Sequence, residues 1–178
     1  MNIPIPAHKA LLATLTLTLA LAVVLMPGCA GYRLGSMLPP DIKTVYVPTF
    51  VNKTAEPQIE METTRYALAE FQRDGSLKIA PESAADATLE VKLTDYRLSP
   101  LQYDNSRLTA ATEYRITLYA SIVLTRRSDH KVIVEHPRCY GEGTFPVVGD
   151  LSSSKRVGLP IAAKDLAHDI VQKVTEVW

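Results

Sequence analysis

His136 and Cys139 stand three residues apart, an imidazole and a thiol at the spacing of half a zinc site. A structural zinc takes four such ligands. The other histidines, His8, His130 and His168, are scattered, and the one other cysteine is Cys29, so no metal site is expected. Ser152-Ser153-Ser154 supplies hydroxyls, but no G-x-S-x-G elbow surrounds them, and they read as a solvated loop. Glu60 and Glu62, two apart on a predicted helix, point to different sides and cannot act as a paired acid and base. No glycine-rich phosphate loop and no dinucleotide fingerprint occurs, so no cofactor is expected. These residues predict a protein that is not an enzyme.

Cys29 is different, because of what precedes it. Met1 to Lys9 is a short head carrying the charge of Lys9, and Ala10 to Met26 is apolar apart from Thr14, Thr16 and Thr18. Pro27-Gly28-Cys29 closes the stretch. A charged head, an apolar middle and a small residue at the cut make an export signal, residues 1–28, removed from the mature protein. About 17 apolar residues fall short of the ~20 that span a bilayer. The arrangement resembles the bacterial lipoprotein signal, with Met26 where Leu is usual. Only a thiol can take the thioether-linked diacylglycerol, and two or more acyl chains give stable anchoring where one does not. Cys29 is therefore the expected lipid anchor, with Cys139 a buried, inert thiol. Two alternatives stay open: cleavage after Ala30, and a Cys29–Cys139 disulfide, which would exclude lipidation.

The chain has 19 basic and 19 acidic residues, and losing the signal removes only Lys9, leaving a mature charge of about −1. A near-neutral domain has no electrostatic footprint for nucleic acid, which is not an expected partner. About 150 mature residues suffice for one domain with its own core: residues 29–41 as anchor and tether, 42–178 as the domain.

The elements follow from periodicity. Ile42 to Phe50 reads as a strand, Glu56 to Asp74 as a helix with Met61, Thr64, Ala67, Leu68 and Phe71 on one face, and Gly75 as its stop. Leu77 to Ala80 is a short strand, completing a parallel βαβ start. Leu89, Val91 and Leu93 alternate with polar residues; the phase then slips to Tyr96 and Leu98, predicting a bulge near Asp95. Tyr114 to Leu124 alternates most cleanly, Ser128-Asp129-His130 turns the chain, and a returning strand runs to Phe145 with an interruption at Pro137. Val147 to Gly158 reads as a loop and Leu159 to Trp178 as the last helix, with Ala163, Leu166, Ala167, Ile170, Val174 and Val177 on a stripe. The expected fold is α+β, a two-layer sandwich: a mixed, mostly antiparallel sheet of about four to five strands with two helices on one face.

The order of these pieces is similar to a known family. After Cys29 come Gly31-Tyr32-Arg33-Leu34, then Leu38-Pro39-Pro40-Asp41-Ile42-Lys43-Thr44-Val45-Tyr46-Val47-Pro48, then Phe50 to Thr54 and Glu56-Pro57. Glu70-Phe71-Gln72-Arg73-Asp74-Gly75 closes the helix. The layout resembles LptE, the lipopolysaccharide-assembly lipoproteins, over essentially the whole mature chain. The resemblance implies a lipoprotein on the periplasmic face of the outer membrane that plugs the lipopolysaccharide-export β-barrel, helps it assemble and assists lipopolysaccharide insertion. Its partners would be that barrel, lipopolysaccharide, and outer-membrane lipid through acylated Cys29; Ala30 after the anchor is compatible with outer-membrane sorting. Lipid A phosphates call for Arg or Lys donors, and Arg97, Arg107, Arg115, Arg126, Arg127 and Lys131 lie on or beside the two central strands as candidates. The competing reading is a structural envelope lipoprotein of a secretion or pore complex. A third, an anchored hydrolase, lacks a nucleophile–base pair.

Overall fold

The computed structural model of the protein describes residues 38–104 and 107–176, with side chains at 38–103 and 111–176. The elements are β1 (Thr44–Tyr46), β2 (Val51–Asn52), α1 (Ile59–Asp74), β3 (Lys78–Ile79), a 3-10 turn (Glu82–Ala84), β4 (Ala87–Asp104), β5 (Arg107–Arg126), β6 (Val132–Pro146) and α2 (Leu151–Thr175). The sheet runs β3-β1-β4-β5-β6, with β2 also on β4, six strands in all. β1 is parallel to β3 and β4, β2 is parallel to β4, and β4, β5 and β6 form an antiparallel meander. This is the expected mixed two-layer α+β fold.

Alternation builds the core. Leu89, Val91 and Leu93 of β4 and Ile116, Leu118, Ala120, Ile122 and Leu124 of β5 point to one face, where Phe71 of α1 and Leu166 and Ile170 of α2 meet them, all buried. Among the described residues the opposite face carries no helix. The register slips between Leu93 and Asp95, where the bulge was expected, and β6 continues through Pro137 by a second irregularity opposite Ala120 to Ile122.

The ends of elements were read less well. The first expected strand splits: Thr44 to Tyr46 is strand, and pairing resumes only at Val51. Asp86 fixes β1 by accepting from the backbone N–H of Lys43 (3.0 Å) and Thr44 (2.9 Å) and from the Thr44 hydroxyl (2.7 Å). α1 begins at Ile59, and Gly75, at φ 74°, ends it by donating its N–H to the Phe71 carbonyl. Its buried stripe is Ile59, Thr63, Thr64, Ala67, Glu70 and Phe71, whereas Met61 is 70% exposed. Thr64 is buried because its hydroxyl accepts the Phe50 N–H at 2.9 Å and donates to the Glu60 carbonyl at 2.6 Å, tying the strand layer to the helix.

The loop expected over 147–158 is wrong from Leu151 onward. α2 starts there, with Asp150 as N-cap accepting from the Ser153 N–H at 2.8 Å, so the serine run forms the first helical turn. Pro160 lies inside the helix instead of near its start. Tertiary packing holds α2 on both sides of it. A Cβ on Gly141 would fall 2.1 Å from the Leu166 nitrogen, and one on Gly143 2.6 Å from the Ala162 nitrogen, so α2 lies directly on the β6 backbone. Asp165 and Asp169, one turn apart, accept the Glu142 N–H (2.9 Å) and the Tyr140 N–H (3.0 Å), and Lys173 donates to the Arg138 carbonyl (3.1 Å). The exposed edge of β6 is thereby occupied by side chains of α2.

Beyond their neighbours, β4 and β5 continue as a hairpin closing at Asp104 and Arg107, while β6 ends opposite Glu113. The sequence had given regular strand only up to Leu98 and from Glu113. Leu101 and Tyr103 stand 42% and 47% exposed on this arm.

Candidate functional site

The helix-free face of the sheet is where the alternation of β4, β5 and β6 directs its polar side chains. Cross-strand register sets Asp95, Tyr119 and Tyr140 in one row, Arg97, Thr117 and Glu142 in the next, and Ser99, Arg115 and Thr144 in a third. Tyr119 is the centre of a cationic cluster: the Arg97 guanidinium lies 5.1 Å from its ring centroid and that of Arg138 4.6 Å. Cations at such distances are held by the ring quadrupole. Arg97 also donates to Asp95 at 2.8 Å, and Arg115 lies 3.5 Å from Glu142, which accepts from the Thr117 hydroxyl at 3.3 Å. These side chains cover Thr117, only 7% exposed on the open face. Lys173 reaches from α2 to within 5.9 Å of the Tyr140 ring. Arg138 has no ion pair among the described residues, and the Arg115 Nε is shielded from solvent without a hydrogen-bond partner.

The six cations singled out from the sequence do not gather. Arg97 and Arg115 share the open face. Arg126 lies 11 residues further along β5, roughly 36 Å of strand at ~3.3 Å per residue, and is engaged by Asp41 (3.2 Å) and Asp129 (3.3 Å). Arg127 donates to the Glu82 carbonyl, and Lys131 is exposed beyond the turn. Arg107 opens β5 at the hairpin end, opposite Asp104. Cys29 lies outside the described residues. Arg138, which completes the cluster, was missed because the irregularity at Pro137 resets the alternation of β6, so that Arg138 falls in phase with Tyr140 and Glu142 on the open face; a proline inside a strand was itself the signal.

The remaining candidates resolve into structural roles. Cys139 is a free thiol, fully buried beneath α2, and burial pushes it up to about 11. Among the described residues no group of three His, Cys, Asp or Glu side chains is placed to hold a metal. Glu60 accepts from the Asn52 amide (2.9 Å) and Glu62 pairs with Arg65 (2.7 Å), so each is separately occupied. His168 is more than a surface residue: its Nδ1 is 3.0 Å from the Glu70 carboxylate, joining α2 to α1. Arg73 first, then His168, hold Glu70 below its ordinary range against the opposing effect of burial. No helix among the described residues is long and apolar enough to cross a membrane.

The model of the LptE family, lipopolysaccharide-assembly, matches residues 42–174. The chain belongs to the LptE family. Members are non-catalytic accessory lipoproteins of the envelope. A Xanthomonas campestris protein of the DUF330 family shares the fold at TM-score 0.51 and 11% identity, over 76% of this chain and 85% of its own. A putative lipoprotein from Caulobacter crescentus gives TM-score 0.48 at 13% identity (68% and 84% covered). PelC from Paraburkholderia phytofirmans, a dodecamer, gives 0.46 at 15% (80% and 96%). Comparison with curated proteins finds no match.

Proposed function

We propose that this LptE-family chain is an outer-membrane lipoprotein, anchored on the periplasmic side through acylated Cys29, that plugs and helps assemble the lipopolysaccharide-export β-barrel and assists lipopolysaccharide insertion. In this reading residues 1–28 are the signal, 29–41 carry the anchor and tether, and 42–178 form the working domain. The observation that carries it is the family match over 42–174. The open sheet face supports it, since a surface of Arg, Tyr, Thr and Glu suits the wet interior of a large barrel.

Within that role, the open-face cations provide the contact to lipid A phosphate. Arg138 pairs with no carboxylate among the described residues, and Arg97, paired with Asp95 alone, is held over Tyr119. Guanidinium groups suit phosphate because they present paired donors. Arg126 is neutralised by two aspartates and is a poor phosphate ligand by comparison.

Two experiments test this. The chain is expressed with its signal in a Gram-negative host and recovered by a C-terminal tag. A lipopolysaccharide-export barrel in near-equal amount supports the proposal, and a secretion ring in its place overturns it. Arg97→Glu with Arg138→Glu is then expected to weaken lipopolysaccharide binding at least tenfold, and the triple reversal of Arg126, Arg127 and Lys131 less than threefold. Equal effects would sink the assignment to the open face.

A further inference from the structure

We propose that Tyr119 spaces a site for a ligand carrying two phosphate groups on one short frame, its ring holding the Arg97 and Arg138 guanidinium groups apart on either side. The inference rests on the lipopolysaccharide reading of the open face and deepens it. It fixes how many phosphates that face takes at once and which side chain sets their spacing.

The strand order brings the two cations to the ring from opposite sides. β5 lies between β4 and β6, and Tyr119 is level with Asp95 on one and Tyr140 on the other. Arg97 is level with Thr117, two residues before Tyr119, and Arg138 stands two residues before Tyr140 on β6. Because β6 runs antiparallel to β5, Arg138 lies on the Ser121 side of Tyr119 and Arg97 on the Thr117 side. The guanidinium groups therefore approach along opposite diagonals, 5.1 Å and 4.6 Å from the ring centroid. Two like charges would part in water; the negative faces of the ring draw both inward and hold them within ~10 Å of each other.

Both guanidinium groups have donors to give. Arg97 commits its Nε to Asp95 at 2.8 Å, which leaves its two terminal amino groups without a partner among the described residues. Arg138 has no hydrogen bond or ion pair among them and touches only the ring. The other cations on this part of the face are engaged, Arg115 by Glu142 at 3.5 Å and Lys173 by Asp169 at 2.7 Å. A phosphate held by a guanidinium places its oxygens ~2.7–2.9 Å from the donors. The Tyr119 ring fills the space between the two groups, so one phosphate cannot sit between both, and each cation needs a phosphate of its own. Two linked phosphates then have an advantage over one. Once the first is held, the second binds within the same complex, and the gain is greatest when the linker matches the span. A monoester has no such gain.

The test is amide NMR of the ¹⁵N-labelled full chain in an uncharged detergent. It is titrated with alkanediol bisphosphates of increasing chain length and, separately, with an alkyl monophosphate. Saturable shifts are expected at Arg97, Tyr119 and Arg138. The best bisphosphate should bind at least tenfold tighter than the monophosphate, and shorter and longer ones at least threefold more weakly than the best. Tyr119→Phe keeps the ring quadrupole and is expected to retain this optimum. Tyr119→Leu removes the quadrupole and is expected to lose the optimum, with monophosphate affinity within twofold of the parent. Arg138→Gln leaves one guanidinium and is expected to bring the best bisphosphate down to the monophosphate level. Equal affinity for one and two phosphates, no dependence on chain length, or an unchanged optimum in Tyr119→Leu would each overturn the two-phosphate site. If lipopolysaccharide binding still falls on reversing Arg97 and Arg138, such a failure leaves the lipopolysaccharide reading standing. A bisphosphate optimum in a chain that does not bind lipopolysaccharide would remove that reading and keep the site.

Discussion

Gly141→Ala is the most incisive single perturbation of this fold. The added methyl would lie 2.1 Å from the Leu166 nitrogen, 2.5 Å from the Leu166 Cα and 2.6 Å from the Ala162 carbonyl oxygen. All three are helix backbone atoms, so no rotamer change relieves the clash, and α2 must retreat from β6 by roughly an ångström or more. Overpacking of this kind costs about 1–3 kcal/mol. Retreat also lengthens the bonds from Asp165 and Asp169 to the Glu142 and Tyr140 N–H groups. Both are partly solvated, and their joint loss adds roughly 1 kcal/mol. A total near 3 kcal/mol is a large fraction of the ~5–15 kcal/mol typical of a domain, and lowers the melting temperature by about 10 °C. The assay is urea unfolding of the full chain followed by circular dichroism. Gly149→Ala is the control: its φ of 75° strains any side chain, but nothing lies within 4 Å of the added carbon. That variant is expected to lose only about 1–2 kcal/mol. A Gly141→Ala loss no greater than that of Gly149→Ala would refute the claim that backbone proximity, not turn geometry, dictates glycine here.

Three further outcomes follow from local chemistry. Thr64→Val keeps the shape but leaves the Phe50 N–H without its acceptor, and is expected to cost about 1–3 kcal/mol in the same unfolding assay; a change under ~0.5 kcal/mol would show that water replaces the hydroxyl. With its thiol pushed up to about 11, Cys139 is about 0.1% thiolate at pH 8. Labelling by a thiol reagent should therefore be far slower than in urea, and equal rates would contradict its burial. Glu70 is held below its ordinary range, so its contribution to stability is full above the unfolded value of ~4.3–4.5 and is lost as pH falls through the lower folded value. Glu70→Gln should accordingly flatten the acid limb of the stability profile below about pH 4.5, and an unchanged limb would place the acid sensitivity in another carboxylate.

Much of this was legible because it is local. The 3.6-residue stripe of α2 from Ala163 to Val174, the alternation of β5, the phase slip at Asp95 and the stop at Gly75 each depend on residues close together in the chain, and each is found where expected, Val177 of the expected stripe lying outside the described residues. Met61 was misplaced because Ile59, outside the stripe that periodicity favoured, is the residue the sheet buries. The start of α2 was missed because Pro160 resembled a first-turn proline, while the true cap, Asp150 with Ser153, lay inside a segment read as loop.

The sequence by itself determined which faces of the strands and helices are apolar, and so that two layers must close on one core. It also carried the pattern that places the chain in its family. Only the tertiary structure decided which cations act together. Arg97 and Arg138 meet at Tyr119 because two bulges set the register of β4 and β6 against β5, and Arg126 is drawn away to Asp41. Helix α2 runs unbroken past Pro160 because Gly141 and Gly143 let its backbone rest on β6. Register and close approach are properties of pairs of elements far apart in the chain, and periodicity within one element holds no information about them.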